Sequence, residues 1–385
     1  MKRVYLDHNA TTRPRPEVRA HLLQTMEELE GNPSSVHRAG RQARAVLDDA
    51  RARTAAALGV GEDEVVFTSG GTESVHLALL GGSFVARAPA GLVTSAAEHS
   101  CVLGAAEAIA ARGGPVHAVG VDPRCQVDPA EVLDAASRPG VGLVSIMAAN
   151  NEVGALQPLA SIAAGLRSQR REGTRLFHTD AVQALGRIPI RLAEWGVDLA
   201  SFSAHKLGGP LGVGILYKRR GVQLAPQLHG GSQEAGLRAG SENVPAISAA
   251  ALAVELAVRE EPSLAVRTRE LSSLLWHEIA DTLPDVELLG PPLASSERLP
   301  NTLEILVGGI DGRMLVARLD LEGLEASAGS ACASGSLEPS HVLLAMGHSA
   351  ERARSGLRLS LGRETTREDV LAAVEILERA VSALR

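Results

Sequence analysis

Val197-Asp198-Leu199-Ala200-Ser201-Phe202-Ser203-Ala204-His205-Lys206-Leu207-Gly208-Gly209-Pro210 is an apolar run that ends in Ser-x-His-Lys and passes at once into a glycine turn. Its length and its bounding turn residues are those of a buried strand. Comparable runs lie at Val65 to Thr68, Leu92 to Ser95, Leu143 to Ala148, Arg175 to Thr179 and Gly212 to Tyr217. Helical patterns separate them, as at Pro158 to Arg171. Asp128-Pro129-Ala130-Glu131 reads as a helix start, with Asp as cap, Pro at the first position and Glu closing a capping box. This alternation predicts an α/β fold, a mostly parallel sheet covered on both faces. Ligands of such sheets sit beyond the carboxyl ends of the strands, where Lys206 falls.

Of 38 Lys and Arg residues, only Lys2, Lys206 and Lys218 are lysine. Arginine stays charged and cannot act as an amine nucleophile, so a lysine kept in this setting points to amine chemistry. Partial desolvation would favour the neutral amine that a Schiff base requires. The hydroxyl of Ser203 and the imidazole of His205 are placed to hold an anion beside it. A surface turn lysine is the plain alternative, and the other strand ends weigh against it.

Asp180 ends the strand Leu176-Phe177-His178-Thr179-Asp180. A buried carboxylate next to a pyridine nitrogen keeps it protonated and makes the ring an electron sink, whereas a helix N-cap is the plain role for such an Asp. Gln183, one turn on, is placed to donate to the ring's phenolate oxygen. Thr68-Ser69-Gly70-Gly71-Thr72-Glu73-Ser74 follows a strand and opens a helix, which frees backbone N–H groups for a phosphate. It is not a Walker loop, because no Lys follows the last Gly at the required spacing. In Glu98-His99-Ser100 the imidazole can stack on an aromatic ring and shuttle protons, or be a polar loop residue.

The chain has 385 residues, 45% of them hydrophobic, enough for one large core and a smaller one. Ala246 to Arg259 and Leu264 to Leu283 read as two long helices. Thr365-Thr366-Arg367-Glu368 opens a last helix with the stripe Val370, Leu371, Val374, Leu377, Val381 and Leu384. We place a large domain at 13–259 and a smaller α+β domain at 260–385, with residues 1–12 packed on it. The net charge of −7 disfavours a general grip on nucleic acid or anionic membrane. No apolar run has the length of a membrane span, and Met1 to Asp7 lacks a signal-peptide stretch, so a cytoplasmic protein is expected.

Three cysteines without a CxxC pair argue against a disulfide framework and against a zinc site, and no metal is expected. Cys101 and Cys125 read as small, semi-buried hydrophobes. Cys332 differs, because Ala326-Ser327-Ala328-Gly329-Ser330-Ala331-Cys332-Ala333-Ser334-Gly335-Ser336 is a run of tiny residues that reads as a mobile loop. A thiolate there is an accessible nucleophile. Arg358 stands in the alternating run Leu357-Arg358-Leu359-Ser360-Leu361 and needs a partner, either a substrate carboxylate in its guanidinium fork or an internal Asp or Glu.

Together these pieces resemble the NifS/IscS-type cysteine desulfurases of the fold-type I, class V aminotransferase superfamily. The resemblance runs from Tyr5-Leu6-Asp7-His8-Asn9-Ala10-Thr11-Thr12 through Asn32-Pro33-Ser34-Ser35 and Asn150-Asn151-Glu152-Val153-Gly154. It continues with Arg238-Ala239-Gly240-Ser241-Glu242-Asn243 to Gly329-Ser330-Ala331-Cys332 and Arg358-Leu359-Ser360-Leu361-Gly362-Arg363. It implies a seven-stranded sheet and a pyridoxal 5'-phosphate cofactor joined to Lys206. His99 would stack on the ring, Asp180 would pair with its nitrogen and Gln183 would bind its phenolate oxygen. Gly71, Thr72, Ser203 and His205 would hold the phosphate. Asn151 and Arg358 would hold the carboxylate of L-cysteine, and Cys332 would take the sulfur as a persulfide. Ser241 would reach the phosphate of the neighbouring subunit, which implies a homodimer. That position is typically Thr, and Ser keeps the hydroxyl with a less constrained rotamer. The long Cys332 loop resembles the group that hands sulfur directly to an acceptor, such as an iron–sulfur scaffold in cluster biogenesis or a sulfur carrier.

A selenocysteine lyase or an ordinary class V aminotransferase is the alternative on the same scaffold, and an aminotransferase has no need of Cys332. A non-catalytic regulator that senses the cofactor would need an added binding module, for which the chain has no spare segment. A cofactor-free sulfur carrier would have no use for Lys206 and Asp180.

Overall fold

The computed structural model describes residues 3–85, 89–169, 175–329 and 338–385. Cys332 and the end of the helix expected to reach Arg171 lie outside the described residues. The first part of the chain forms β1 (Val4–Tyr5), α1 (Pro16–Glu28), α2 (Arg38–Leu58), β2 (Val65–Thr68), α3 (Gly71–Ser83), β3 (Gly91–Ser95), α4 (Ser100–Ala111) and β4 (Val116–Val119). There follow α5 (Pro129–Ser137), β5 (Val141–Ser145), α6 (Leu159–Ser168), β6 (Leu176–Asp180), α7 (Leu192–Trp195), β7 (Leu199–Ser203) and β8 (Gly214–Lys218). The last third comprises α8 (Val244–Thr282), β9 (Val286–Leu288), β10 (Thr302–Val307), α9 (Gly312–Glu322), β11 (Leu324–Glu325), α10 (His341–Ala345), α11 (Ala350–Ala353), β12 (Gly356–Ser360) and α12 (Arg367–Leu384).

The large sheet has seven strands in the order β2-β8-β7-β6-β5-β3-β4, and only β8 runs antiparallel to its neighbours. Its inner strands are buried along their length, as continuous apolar runs demand when helices cover both faces. Phe202 on β7 is fully buried, and truncating it to Ala would cost about 3–5 kcal/mol. The edge strand β4 is partly exposed and short, which is why no strand is read there from sequence. Asp128 caps α5 by accepting from the Ala130 N–H and Pro129 opens the helix, but the expected capping box with Glu131 does not close.

The two helices expected from Ala246 to Leu283 are one helix, α8, with Pro262 inside it. Proline removes one intrahelical bond but does not end a helix whose flanks are both packed. Ala246 to Ala257 lie in the core around the large sheet, and Leu275 and Ile279 lie in a second core. The expected division at residue 260 falls in the stretch between them. The second core joins β10, β12, α9 and α12 to Val4 and Leu6 of the N-terminus, where β1 pairs in parallel with β11. β12, β10 and β9 form a small antiparallel sheet. A third cluster, with Ala97 and Val153 against Leu306, Val342 and Leu343, joins the two cores. The α12 start is as read: Thr366 caps it and Asp369 closes the box.

Candidate active site

β6 and β7 are parallel neighbours with Asp180 opposite Ser201, so Asp180 and the residues after Ser203 leave the sheet at the same edge. A single 3-10 turn, Ala204–Leu207, follows β7 and ends at Gly208, whose φ of 78° is the left-handed value that glycine tolerates. This turn projects Lys206 over the strand ends. Its amine donates to the carbonyl oxygens of Asn9 and Ala10, each at 2.6 Å. The same segment fixes His205, whose Nδ1 lies 3.0 Å from Thr11 Oγ1. Burial, then Lys206 and Arg187, lower the His205 pKa to about 4, so the imidazole is neutral near pH 7.

Asp180 is buried, and one carboxylate oxygen accepts from the Val182 N–H at 2.9 Å. Burial raises its pKa, while His99 and Lys206 nearby act to lower it. A cationic ring nitrogen at this carboxylate would supply the compensation that burial removes. Gln183 donates to the Asn9 carbonyl at 3.0 Å, and its side-chain oxygen accepts from the buried Arg187 at 2.6 Å. The second N–H of its amide is the donor that a phenolate would use.

α3 starts at Gly71 with Gly70 at the N-cap, where no side chain satisfies the first-turn N–H groups. A Cβ on Gly71 would come to 3.0 Å from Val182 Cγ2 and 3.5 Å from Ser203 Cβ. The helix end therefore approaches the β7 end closely only because residue 71 is glycine. Thr72 is exposed on the same turn and Ser203 is buried. Open N–H groups beside a serine hydroxyl fit a phosphate, the lysine fits a Schiff-base partner, and the buried carboxylate fits a pyridinium.

His99 is the N-cap of α4: its Nδ1 accepts from the Cys101 N–H at 3.2 Å. Cys101 is buried among apolar residues, as read from sequence, and its sulfur also lies 3.0 Å from the same Nδ1. Ligating atoms of His99, Cys101 and Asp180 all fall within 4.8 Å of one another. Asn151 is buried, and its carbonyl accepts from Arg358 Nη1 at 3.2 Å. Arg358 Nη2 pairs with Asp7 at 2.7 Å, so the internal partner considered for this arginine exists. Its Nε is buried with no hydrogen-bond partner among the described residues. Ser241 is exposed on the loop before α8.

Sequence reasoning overlooked four residues here. Asn9 supplies the carbonyl shared by Lys206 and Gln183. Arg187 orients Gln183. Glu98 is fully buried near Asp180, and burial raises its pKa to about 8. Cys101 is the fourth. An N-cap followed two residues later by a thiol was the available signal for it.

Residues 4–372 match the Aminotransferase class-V family. The chain belongs to that family. Its class V relatives include a protein named cysteine desulfurase IscS from Dictyoglomus turgidum, 43% identical over all of this chain and 96% of that one. A protein of the same name from Methanosarcina thermophila is 42% identical over all of this chain and 93% of that one. A solved structure titled NIFS-like protein superposes with a TM-score of 0.91 at 38% identity, covering 99% of this chain and 100% of that one. Class V enzymes of this kind depend on pyridoxal phosphate, and the fold is the fold-type I transferase architecture.

Proposed function

We propose that the protein is a pyridoxal-phosphate-dependent cysteine desulfurase that converts L-cysteine to L-alanine and passes the sulfur, as a Cys332 persulfide, to an acceptor protein. The observation that carries this reading is the meeting of Lys206 and Ser203 after β7, Asp180 at the end of β6 and His99 after β3, in a chain similar over its whole length to proteins named cysteine desulfurase.

When bound, the cofactor supplies an electron sink conjugated to the substrate α-carbon. Lys206 holds it in the resting enzyme and, once displaced by substrate, carries the α-proton. Asp180 keeps a proton on the ring nitrogen, Gln183 donates at the phenolate oxygen and His99 covers the ring face. Gly71, Thr72, Ser203 and His205 hold the phosphate, with Ser241 from a second subunit. Asn151 and Arg358 hold the substrate carboxylate, Arg358 in competition with Asp7. The Cys332 thiolate attacks the substrate sulfur. The sulfur–sulfur bond forms as the carbon–sulfur bond breaks, the β-carbon is reduced and takes a proton, and both sulfurs end one electron more oxidised. No outside oxidant is required. In this reading residues 13–259 hold the cofactor, and 260–385 with 1–12 bring Arg358 and Cys332 to it.

A homodimer belongs to this reading because Ser241 would complete the phosphate site of a second subunit; Val36, Leu211 and Leu228, 88%, 74% and 47% exposed, are available to such an interface. Among the described residues no helix is long and apolar enough to cross a membrane. Together with the acidic composition, this supports the cytoplasmic assignment. The acceptor is an iron–sulfur scaffold or another sulfur carrier. Incubation with L-cysteine and a reductant should release alanine and sulfide in equal amounts. Keto acid without alanine would instead indicate an aminotransferase.

A further inference from the structure

We propose that Cys101 is a positioning residue: its thiol and its backbone N–H together hold His99 Nδ1 as a hydrogen-bond acceptor, so that Nε2 carries the ring's hydrogen. This rests on the placement of His99 at the cofactor ring in the reaction above.

A backbone N–H only donates. Because the Cys101 N–H points at His99 Nδ1 at 3.2 Å, that nitrogen presents its lone pair and bears no hydrogen. The neutral ring then has one tautomer, with hydrogen on Nε2. The Cys101 sulfur sits 3.0 Å from the same nitrogen, and its S–H is the second donor within reach of that lone pair. A thiolate there would face a lone pair and be repelled, so the thiol is retained. The cap makes the arrangement rigid, since His99 is at once the N-cap of α4 and the ring beside Asp180. Protonating Nδ1 would break the cap and turn a donor toward a donor. His99 therefore presents Nε2–H as a fixed hydrogen-bond donor, and takes up a second proton only by giving up the cap at Nδ1.

The contacts given for Nδ1 are the Cys101 N–H and thiol, and these set the tautomer while the ring is neutral. Asp180 on the end of β6 lies near the ring and favours its protonation, whereas Lys206 after β7 is a nearby cation that opposes it. Glu98 precedes His99, and burial holds it above the usual carboxylate range. His76 of α3 contacts the Cys101 carbonyl at 3.1 Å, which further pins the residue that carries the thiol. Cys101 is itself nearly buried, which suits a donor to one neighbour better than a nucleophile.

The test uses holoenzyme labelled with 15N-histidine, with His99 resonances assigned by comparison with His99→Gln. In the wild type, Nδ1 should show the shift of an unprotonated, hydrogen-bonded nitrogen and Nε2 that of a protonated one. Cys101→Ala should move the Nδ1 signal toward a less hydrogen-bonded value, and Cys101→Ser, which keeps a donor, should restore it. Alanine release by Cys101→Ala should fall about two- to tenfold in kcat at constant KM, the span of one net hydrogen bond, and recover in Cys101→Ser. A wild-type Nδ1 that bears the proton, or an Nδ1 signal unmoved by Cys101→Ala, would overturn the proposal. The spectra need no turnover. A protein with the expected spectra that makes no alanine would refute the desulfurase reading and leave the tautomer assignment standing.

Discussion

The Lys206 amine lies 2.6 Å from the carbonyl oxygen of Asn9, so the lysine that follows β7 of the large sheet is held by the turn after β1. Asn9 earns that position through its own bonds: its N–H reaches Ser360 Oγ at 2.9 Å, and its side-chain amide reaches the Asn151 carbonyl at 3.1 Å and Thr302 Oγ1 at 3.0 Å. One buried residue thus ties Lys206, beside the large sheet, to the small sheet.

Asn9→Ala should therefore be costly. It removes the side-chain hydrogen bonds to the Asn151 carbonyl and the Thr302 hydroxyl, which keep Arg358 and Asn301 as partners, at about 0.5–1.5 kcal/mol for each bond lost. Urea unfolding should show a lower midpoint, and dialysed protein should lose its yellow colour faster than wild type. An unchanged midpoint would argue that the Asn9 network is incidental.

Asp180→Asn should keep the fold and bind the cofactor, because the side chain is isosteric and its oxygen can still accept from the Val182 N–H. A neutral partner does not enforce ring protonation. Loss of about 3–4 kcal/mol of transition-state stabilisation would slow alanine formation roughly a hundred- to thousandfold. Near-normal turnover in a fully loaded variant would rule out the electron-sink role.

What was legible in the sequence was the part fixed by local chemistry. The runs before Lys206 and Asp180 are strands because they are apolar and bounded by turns, and both residues fall at strand ends. Two kinds of feature escaped. The helices read as ending at Arg259 and restarting at Leu264 are one, because packing on both sides carries α8 through Pro262 between them. Asn9 acts through Lys206, distant in sequence, and Arg187 bonds the His8 carbonyl as well as Gln183 one turn before it; no local pattern encodes the two distant contacts. Arg358 lay between: the strand placed it, but its pairing with Asp7 appears only when β12 and the N-terminal segment meet.

His178 lies under the site on β6 and bridges Ser145 and Ser201 on the neighbouring strands at 2.8 and 2.9 Å. Burial lowers its pKa to about 3. An unfolded histidine titrates near about 6.5, so the unfolded chain binds a proton between these values that the folded chain refuses. The resulting stability is present above pH 6.5 and is lost as pH falls toward 3. His178→Gln, which does not titrate, should make the decline of Tm between pH 6.5 and 4.5 shallower, while His8 and His205 continue to contribute to it. An identical slope would show that His178 is protonated in the folded protein.

Leu211→Asp places a charge on the surface at an exposed leucine four residues after the Ala204–Leu207 turn. If that surface joins two subunits and Ser241 completes the partner's phosphate site, light scattering should show a dimer for the wild type and a monomer for the variant, with cofactor retention lost alongside. A wild-type monomer with full activity would contradict the shared site.

Mass spectrometry of the Cys332 peptide tests the central claim most directly. After brief exposure of the holoenzyme to L-cysteine, that peptide should gain the mass of one sulfur, and a reductant should remove it. Cys332→Ala should stay folded and yellow, with neither persulfide nor alanine formed. Alanine produced by Cys332→Ala at the wild-type rate, or the added sulfur found on Cys101 or Cys125, would contradict the account.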